Sequence, residues 1–193
     1  MDQYLLYDIH INHISRKVNG ILLFWNRIKD NFEQSARIIV VQSLVLSIIN
    51  YCSKIWGMTT RQQLDRVQKL ENFAAKVAVG NGRKYDHATP FLNELKWLKI
   101  ENKVTYDICV FTYKIVNNLL PDWIFSFPQV RNTSVRNTRQ SNDLFVPRKR
   151  TDIGAKTISV KGPLAWNTLP INVKNAGTIK TFKERLKKYF LEK

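Results

Sequence analysis

The sequence predicts a mainly α fold, a helical bundle with a small β-hairpin near the C-terminal third. Three observations carry this expectation. Apolar residues recur at three- and four-residue spacing over long stretches of the first 118 positions, the mark of helices that bury one face. Hydrophobic residues make up 44% of the 193, enough to build a core and too many for a disordered chain. Two short runs, "LFVPRKR" (144–150) and "KTISVKG" (156–162), read as strands of a hairpin spanning about 144–160, and Pro147 places the first of them at an edge, because proline cannot donate to a ladder.

The elements follow in order. Ile11, Ile14, Val18, Ile21, Leu22, Trp25 and Ile28 lie on one face of a helix over residues 8–29, weakened slightly by Gly20. A second helix runs from about Glu33 to Tyr51. Its core, "IIVVQSLVLSII" (38–49), is apolar on more than one face and is expected to be covered by several neighbours. At 12 residues it is short of the roughly 20 needed to cross a bilayer. Thr60 with Gln63 fits a capping box opening a third helix. Leu64, Val67, Leu70, Phe73, Ala74 and Val77 then follow at helical spacing, and Gly80 supplies a left-handed stop. Thr89-Pro90 opens a short helix, with proline where no amide partner is lost. Residues 100–118 form a longer one, with Val104, Ile108, Phe111, Ile115 and Val116 inward. "QVRNTSVRNTRQSND" (129–143) has no periodicity and reads as a mobile basic loop. In "GPLAWNTLP" (162–170), Pro163 is expected to start a short helix that buries Leu164 and Trp166 and ends at Pro170. That makes a wedge which sets how the last helix leaves the domain. The last helix, near 178–191, turns Phe182, Leu186 and Tyr189 or Phe190 inward and Lys180, Lys183, Lys187 and Lys188 outward.

Charge is the dominant global feature. The chain holds 31 Lys+Arg against 15 Asp+Glu, a formal net charge of +16. Such an excess points to a polyanionic partner; the plain alternative is a solvated basic surface with no partner. Residues 131–150 hold six basic side chains and one acidic, and residues 151–193 hold nine and three, so the charge is densest in the last third. A boundary at 80–88 divides a thumb-like helical region, 1–85, from a C-terminal region, 86–193, that contains the basic loop 129–143 and the terminal basic helix.

Catalytic chemistry finds little support in the residue pattern. No two acidic residues are adjacent anywhere, so the local carboxylate pair that two-metal chemistry uses does not occur. Glycine-rich phosphate loops and nucleophile elbows are missing too. His10 and His13 share a helix face but lack a Cys or HExxH companion, and read as cap or surface residues. No cofactor or metal is expected. Cys52 and Cys109 lie in apolar surroundings and are expected to be buried, reduced thiols of an intracellular protein. The five tryptophans, Trp25, Trp56, Trp97, Trp123 and Trp166, have apolar neighbours and are expected in the core rather than stacked on bases.

Four stretches together carry a resemblance. They are "VQSLVLSIINYCSKIWG" (41–57), "LDRVQKLENFAAKVAVG" (64–80), "TPFLNELKWLKIENK" (89–103) and "VPRKRTDIGAKTISVKGPLAWNTLPINVKNAGTIKTFKERLKKY" (146–189). With "MDQYLLYDIHINHI" at the start, they resemble the C-terminal region of reverse transcriptases from jockey-like non-LTR (LINE-type) retrotransposons, over essentially the whole chain. Lys103 stands where the family pattern has Arg, which keeps the charge and loses a bidentate fork. The resemblance implies the thumb and post-thumb portion of an RNA-directed DNA polymerase, without the palm and its Asp-Asp metal box.

The expected function is therefore non-catalytic binding of template–primer or element RNA through phosphate contacts. The residues expected to make them are Arg131, Arg136 and Arg139 on the loop, Arg148, Lys149 and Arg150 after Pro147, Lys161, and Lys183, Lys187 and Lys188 on the last helix. The expected partners are an RNA or DNA backbone and the palm and fingers of the parent polymerase, with no membrane. The expected setting is a nuclear or cytoplasmic ribonucleoprotein. The rival reading is a structural module whose apolar surface packs on a palm domain and which binds no nucleic acid by itself.

Overall fold

A computed structural model describes residues 6–82, 85–121 and 143–192. The chain divides into two compact units, Met1–Lys103 and Val104–Lys193. This division falls beyond the break anticipated at 80–88 and lies inside a helix, Ile100–Val116.

The first unit begins with α1 (Asp8–Ile28), followed by a 3-10 turn, Lys29–Asn31. The next helical run is α2 (Gln34–Val41), a π-helical stretch (Gln42–Leu46) and α3 (Ser47–Asn50). After it come α4 (Ser53–Trp56), α5 (Arg61–Val79), α6 (Thr89–Glu94) and the start of α7 (Ile100–Val116). α1 contributes Ile11, Ile14, Val18 and Leu22 to the core, the 34–50 run contributes Val41, Val45 and Ile49, and α5 contributes Val67, Leu70 and a set of small residues, Ala74, Ala75 and Ala78. All three sets of spacing are those of a single helix face. α1 and α5 lie side by side in the same direction: Gln63 Nε2 donates to Asp8 Oδ1, and Arg66 Nη2 donates to Asn12 Oδ1 at 2.6 Å.

α5 stops at Gly80, which takes φ 96°, a left-handed conformation that glycine adopts without a Cβ penalty. The stop is reinforced by Arg37. Its guanidinium donates to the carbonyls of Ala78 (3.3 Å) and Val79 (2.8 Å) at the end of α5, and to those of Lys29 (3.2 Å) and Phe32 (2.7 Å) beyond α1. One cation thus satisfies carbonyls that the end of α5 leaves open and ties them to the chain just after α1. A Cβ at position 80 would fall 2.5 Å from Arg37 Nη2, so glycine serves both the turn and the cap.

The second unit contains the rest of α7, then α8 (Asp152–Ala155), α9 (Ile158–Asn167), α10 (Ile171–Lys174) and α11 (Ile179–Glu192). Its centre is an aromatic stack. Tyr113 of α7 lies 4.3 Å from Phe182 of α11, centroid to centroid, and Trp166 of α9 lies 5.9 Å from the same ring. Tyr113 also donates its hydroxyl to the Ala176 carbonyl at 2.8 Å, the partner that a buried phenol requires.

Several expectations are corrected. No strand occurs among the described residues, and the β-hairpin over 144–160 is not seen. Residues 158–167 form α9 instead. Ile158 and Val160 alternate as a strand would, but Val160, Gly162, Pro163 and Trp166 are the residues that bury, and the three-residue step from Val160 to Pro163 to Trp166 is helical. Leu144 still has a strand-like contact: its amide and carbonyl are both held by the Asn167 carboxamide, at 2.9 and 3.0 Å. Pro163 lies inside α9 rather than at its start, and Leu164 is 45% exposed. Thr60 is the N-cap of α5 but makes no side-chain cap bond, and the Gln63 side chain turns to Asp8 across the helix pair instead of back to Thr60. The 34–50 run is covered on one face only, leaving Ile39 65% exposed.

Candidate nucleic-acid interface

The cations of the second unit fall into two groups. Arg148, Lys149 and Arg150 are consecutive, exposed and outside any helix, immediately before α8. α8 is capped by Thr151, whose Oγ1 accepts from the Gly154 amide at 3.1 Å, so the basic triplet ends at a fixed point of the chain.

The second group is on α11. Phe182, Leu186 and Phe190 bury one face, at the spacing expected from sequence, and the aromatic stack holds that face down. At about 100° per residue, Lys180, Lys183 and Lys187 fall within about 60° of one another on one flank; all three are exposed. No described carboxylate pairs with them. Lys188 falls on the other flank, 3.8 Å from Glu192. Arg185 donates to the Asn172 carbonyl at 2.6 Å, and Lys174 is paired with Asp143 at 3.0 Å, so both have structural partners. Lys161 is exposed on α9. Arg131, Arg136 and Arg139 lie outside the described residues.

The structure therefore gathers Lys183 and Lys187, with Lys180 beside them, and sets Lys188 apart. Trp166 of "GPLAWNTLP" packs on Phe182 of the helix that carries this flank.

Sequence reasoning missed a second cationic feature, in the first unit. A groove of about 650 Å³ runs between α1 and α5, lined by Leu23, Asn26, Lys29, Lys69, Asn72, Phe73, Lys76 and Gly82. The signal was present as periodicity. Lys69, Asn72 and Lys76 recur at i, i+3 and i+7, and Asn26 and Lys29 at i and i+3, two polar stripes on neighbouring helices.

Among the described residues, no three His, Cys, Asp or Glu side chains gather to hold a metal. His10 is lowered from its usual range, chiefly by burial and secondarily by His13; its ring lies 6.4 Å from Trp56. Cys109 is buried, and burial pushes its thiol up to about 12, which removes the reactive thiolate. Cys52 departs from expectation: it is exposed, at φ 51° before α4. Trp56, Trp97 and Trp166 are core residues and Trp25 is half-buried against Phe32, whereas Trp123 lies outside the described residues. No helix among the described residues is long and apolar enough to cross a membrane.

Compared with protein-family models, curated proteins and solved structures, the chain has no match.

Proposed function

We propose that this chain is a non-catalytic nucleic-acid-binding module, corresponding to the thumb and post-thumb portion of a non-LTR retrotransposon reverse transcriptase. The four sequence stretches quoted above support the family, and the net charge of +16 supports the partner. The observation that carries the reading is the exposed lysine flank of α11, fixed by a buried aromatic stack. Lysines in that position meet phosphates, and phosphate contacts position a strand without reading its sequence. Arg148, Lys149, Arg150 and Lys161 would extend the contact, as would Arg131, Arg136 and Arg139; Lys188 contributes least, because Glu192 is beside it.

Titration of the full chain with a short RNA hairpin and a DNA duplex tests the reading. Binding indifferent to sequence is expected. Replacing Lys183 and Lys187 by Gln should weaken both complexes by about tenfold or more at low salt, in line with the loss of two phosphate contacts. Unchanged affinity in that double variant would remove α11 from the interface.

A second reading is favoured by a different observation. Ile39, Leu44 and Tyr51 are exposed along and just beyond the 34–50 run, and exposed apolar side chains invite a protein partner. In that case the chain packs on a polymerase palm and binds no nucleic acid alone. Self-association in gel filtration that is indifferent to added RNA is the outcome that favours it.

A further inference from the structure

The segment before α8 is held at both ends and open between them. Upstream, Leu144 is buried, with its amide and carbonyl on the Asn167 carboxamide at 2.9 and 3.0 Å, and Asp143 accepts from Lys174 at 3.0 Å. Downstream, Thr151 starts α8: its Oγ1 accepts from the Gly154 amide at 3.1 Å and its carbonyl from the Ala155 amide at 3.0 Å. Between these anchors run Phe145, Val146, Pro147, Arg148, Lys149 and Arg150, outside any helix and without a positive φ. Proline biases the residue before it towards extended backbone. Phe145 is exposed, and so are all three cations. A Cβ on Gly154 would fall 3.0 Å from Lys149 Cβ, so the middle cation is seated against α8 while it stays exposed. Asp152, the next carboxylate along the chain, belongs to the first turn of α8. No backbone hydrogen bond joins residues 146–150 to the described part of the chain. Such main-chain groups bond to water or to a ligand.

These features favour a polypeptide partner at this segment. A phosphate accepts from cations and amides, but it offers no donor to the carbonyls and nothing apolar to Phe145 and Pro147. A second protein offers all of these. Its carboxylates grip guanidinium groups through paired bonds. Its polar groups pair with an extended main chain, and its pockets take alternate side chains. A segment anchored at both ends loses little freedom on docking.

We infer that residues 145–150 dock, as an extended basic peptide, in the acidic groove of a partner protein. The inference goes beyond the nucleic-acid reading and does not depend on it; Arg148, Lys149 and Arg150 would meet phosphate only while no such protein covers them. Short basic segments of this kind address chains to nuclear-import carriers, and such a carrier is the probe.

The test titrates the full chain with a labelled armadillo-repeat import carrier whose own autoinhibitory segment has been removed. The parent chain should bind at about 10 µM or tighter. R148Q/R150Q should lose at least about tenfold, in line with two charge-assisted contacts, while keeping its circular dichroism and melting temperature, since neither side chain is buried. K183Q/K187Q should bind the carrier as the parent does. The same variants are titrated with the RNA hairpin, where R148Q/R150Q should keep most of its affinity; if the parent binds the carrier and no RNA, the nucleic-acid reading fails and this one stands. No carrier binding at about 100 µM, or equal carrier affinity in R148Q/R150Q, would overturn the docking segment. An equal loss in K183Q/K187Q would overturn it too, because the carrier would then sense only net charge. Loss of RNA affinity in R148Q/R150Q with carrier binding unchanged would assign the segment to nucleic acid instead.

Discussion

At the residue scale, the most consequential side chain of the first unit is Glu71, a buried carboxyl on α5. Burial raises its pKa to about 7, against the opposing pull of a hydrogen bond from Gln68, the Ile100 amide at the start of α7, and Lys103. Gln68 donates to Glu71 Oε2 at 3.0 Å and accepts from the Ile100 amide at 2.8 Å, so a small polar network joins α5 to the first turn of α7. The folded chain holds a proton on Glu71 at pH values where an unfolded glutamate has released it. Stability is therefore greatest below the ordinary carboxylate range and declines as pH rises through about 7, by about 3 kcal/mol in all. Melting temperatures of the parent chain and Glu71→Gln at pH 5 and pH 8 check this. The parent should lose more stability between the two than the variant, which keeps the carboxamide contacts and cannot ionise. Parallel behaviour of the two proteins would contradict the assignment. Nothing in the sequence flags Glu71, since a glutamate in "KLENF" resembles any exposed helix residue until its neighbours are known. Arg37 was equally silent, because its role depends on carbonyls up to 42 positions away.

At the element scale, the helices were legible where one apolar face recurs without competition. α1, α5, α6, α7 and α11 lie within a few residues of the spans read from periodicity, and Gly80 and Pro90 punctuate them for the physical reasons given. α9 was misread because β-branched residues and a mid-segment Gly-Pro outweigh a short helical period in any local reading. What decides the matter is tertiary: Val160 and Trp166 reach the same core only from a helix. The 34–50 run shows the converse error, where high apolar content suggested cover on several sides and a single face, Val41, Val45 and Ile49, proved to be buried. The α9–α11 contact carries its own prediction. Trp166→Ala should remove about 3–5 kcal/mol of packing and raise amide exchange across α11 by about a hundredfold or more, while Trp166→Phe should do much less. Unchanged protection of α11 in the alanine variant would show that Tyr113 and Phe182 hold the helix without the wedge.

At the scale of the whole molecule, the account rests on charge placed on stable helices. Net charge and its concentration after residue 131 were legible from composition alone. Which lysines share a flank was not, because Lys187 and Lys188 are adjacent in sequence yet lie about 100° apart around α11. The groove of the first unit was legible only as two separate polar stripes, some 40 positions apart, which become one surface when α1 and α5 lie side by side. The most direct measurement is the dependence of RNA hairpin affinity on salt between about 50 and 200 mM, for the parent chain and for K183Q/K187Q. A strand held by six phosphate contacts should lose about a thousandfold in affinity over that range, with the double variant giving a slope shallower by nearly two in log K against log salt. A flat response, or identical slopes for the two proteins, would contradict the claim that this flank holds a nucleic-acid backbone.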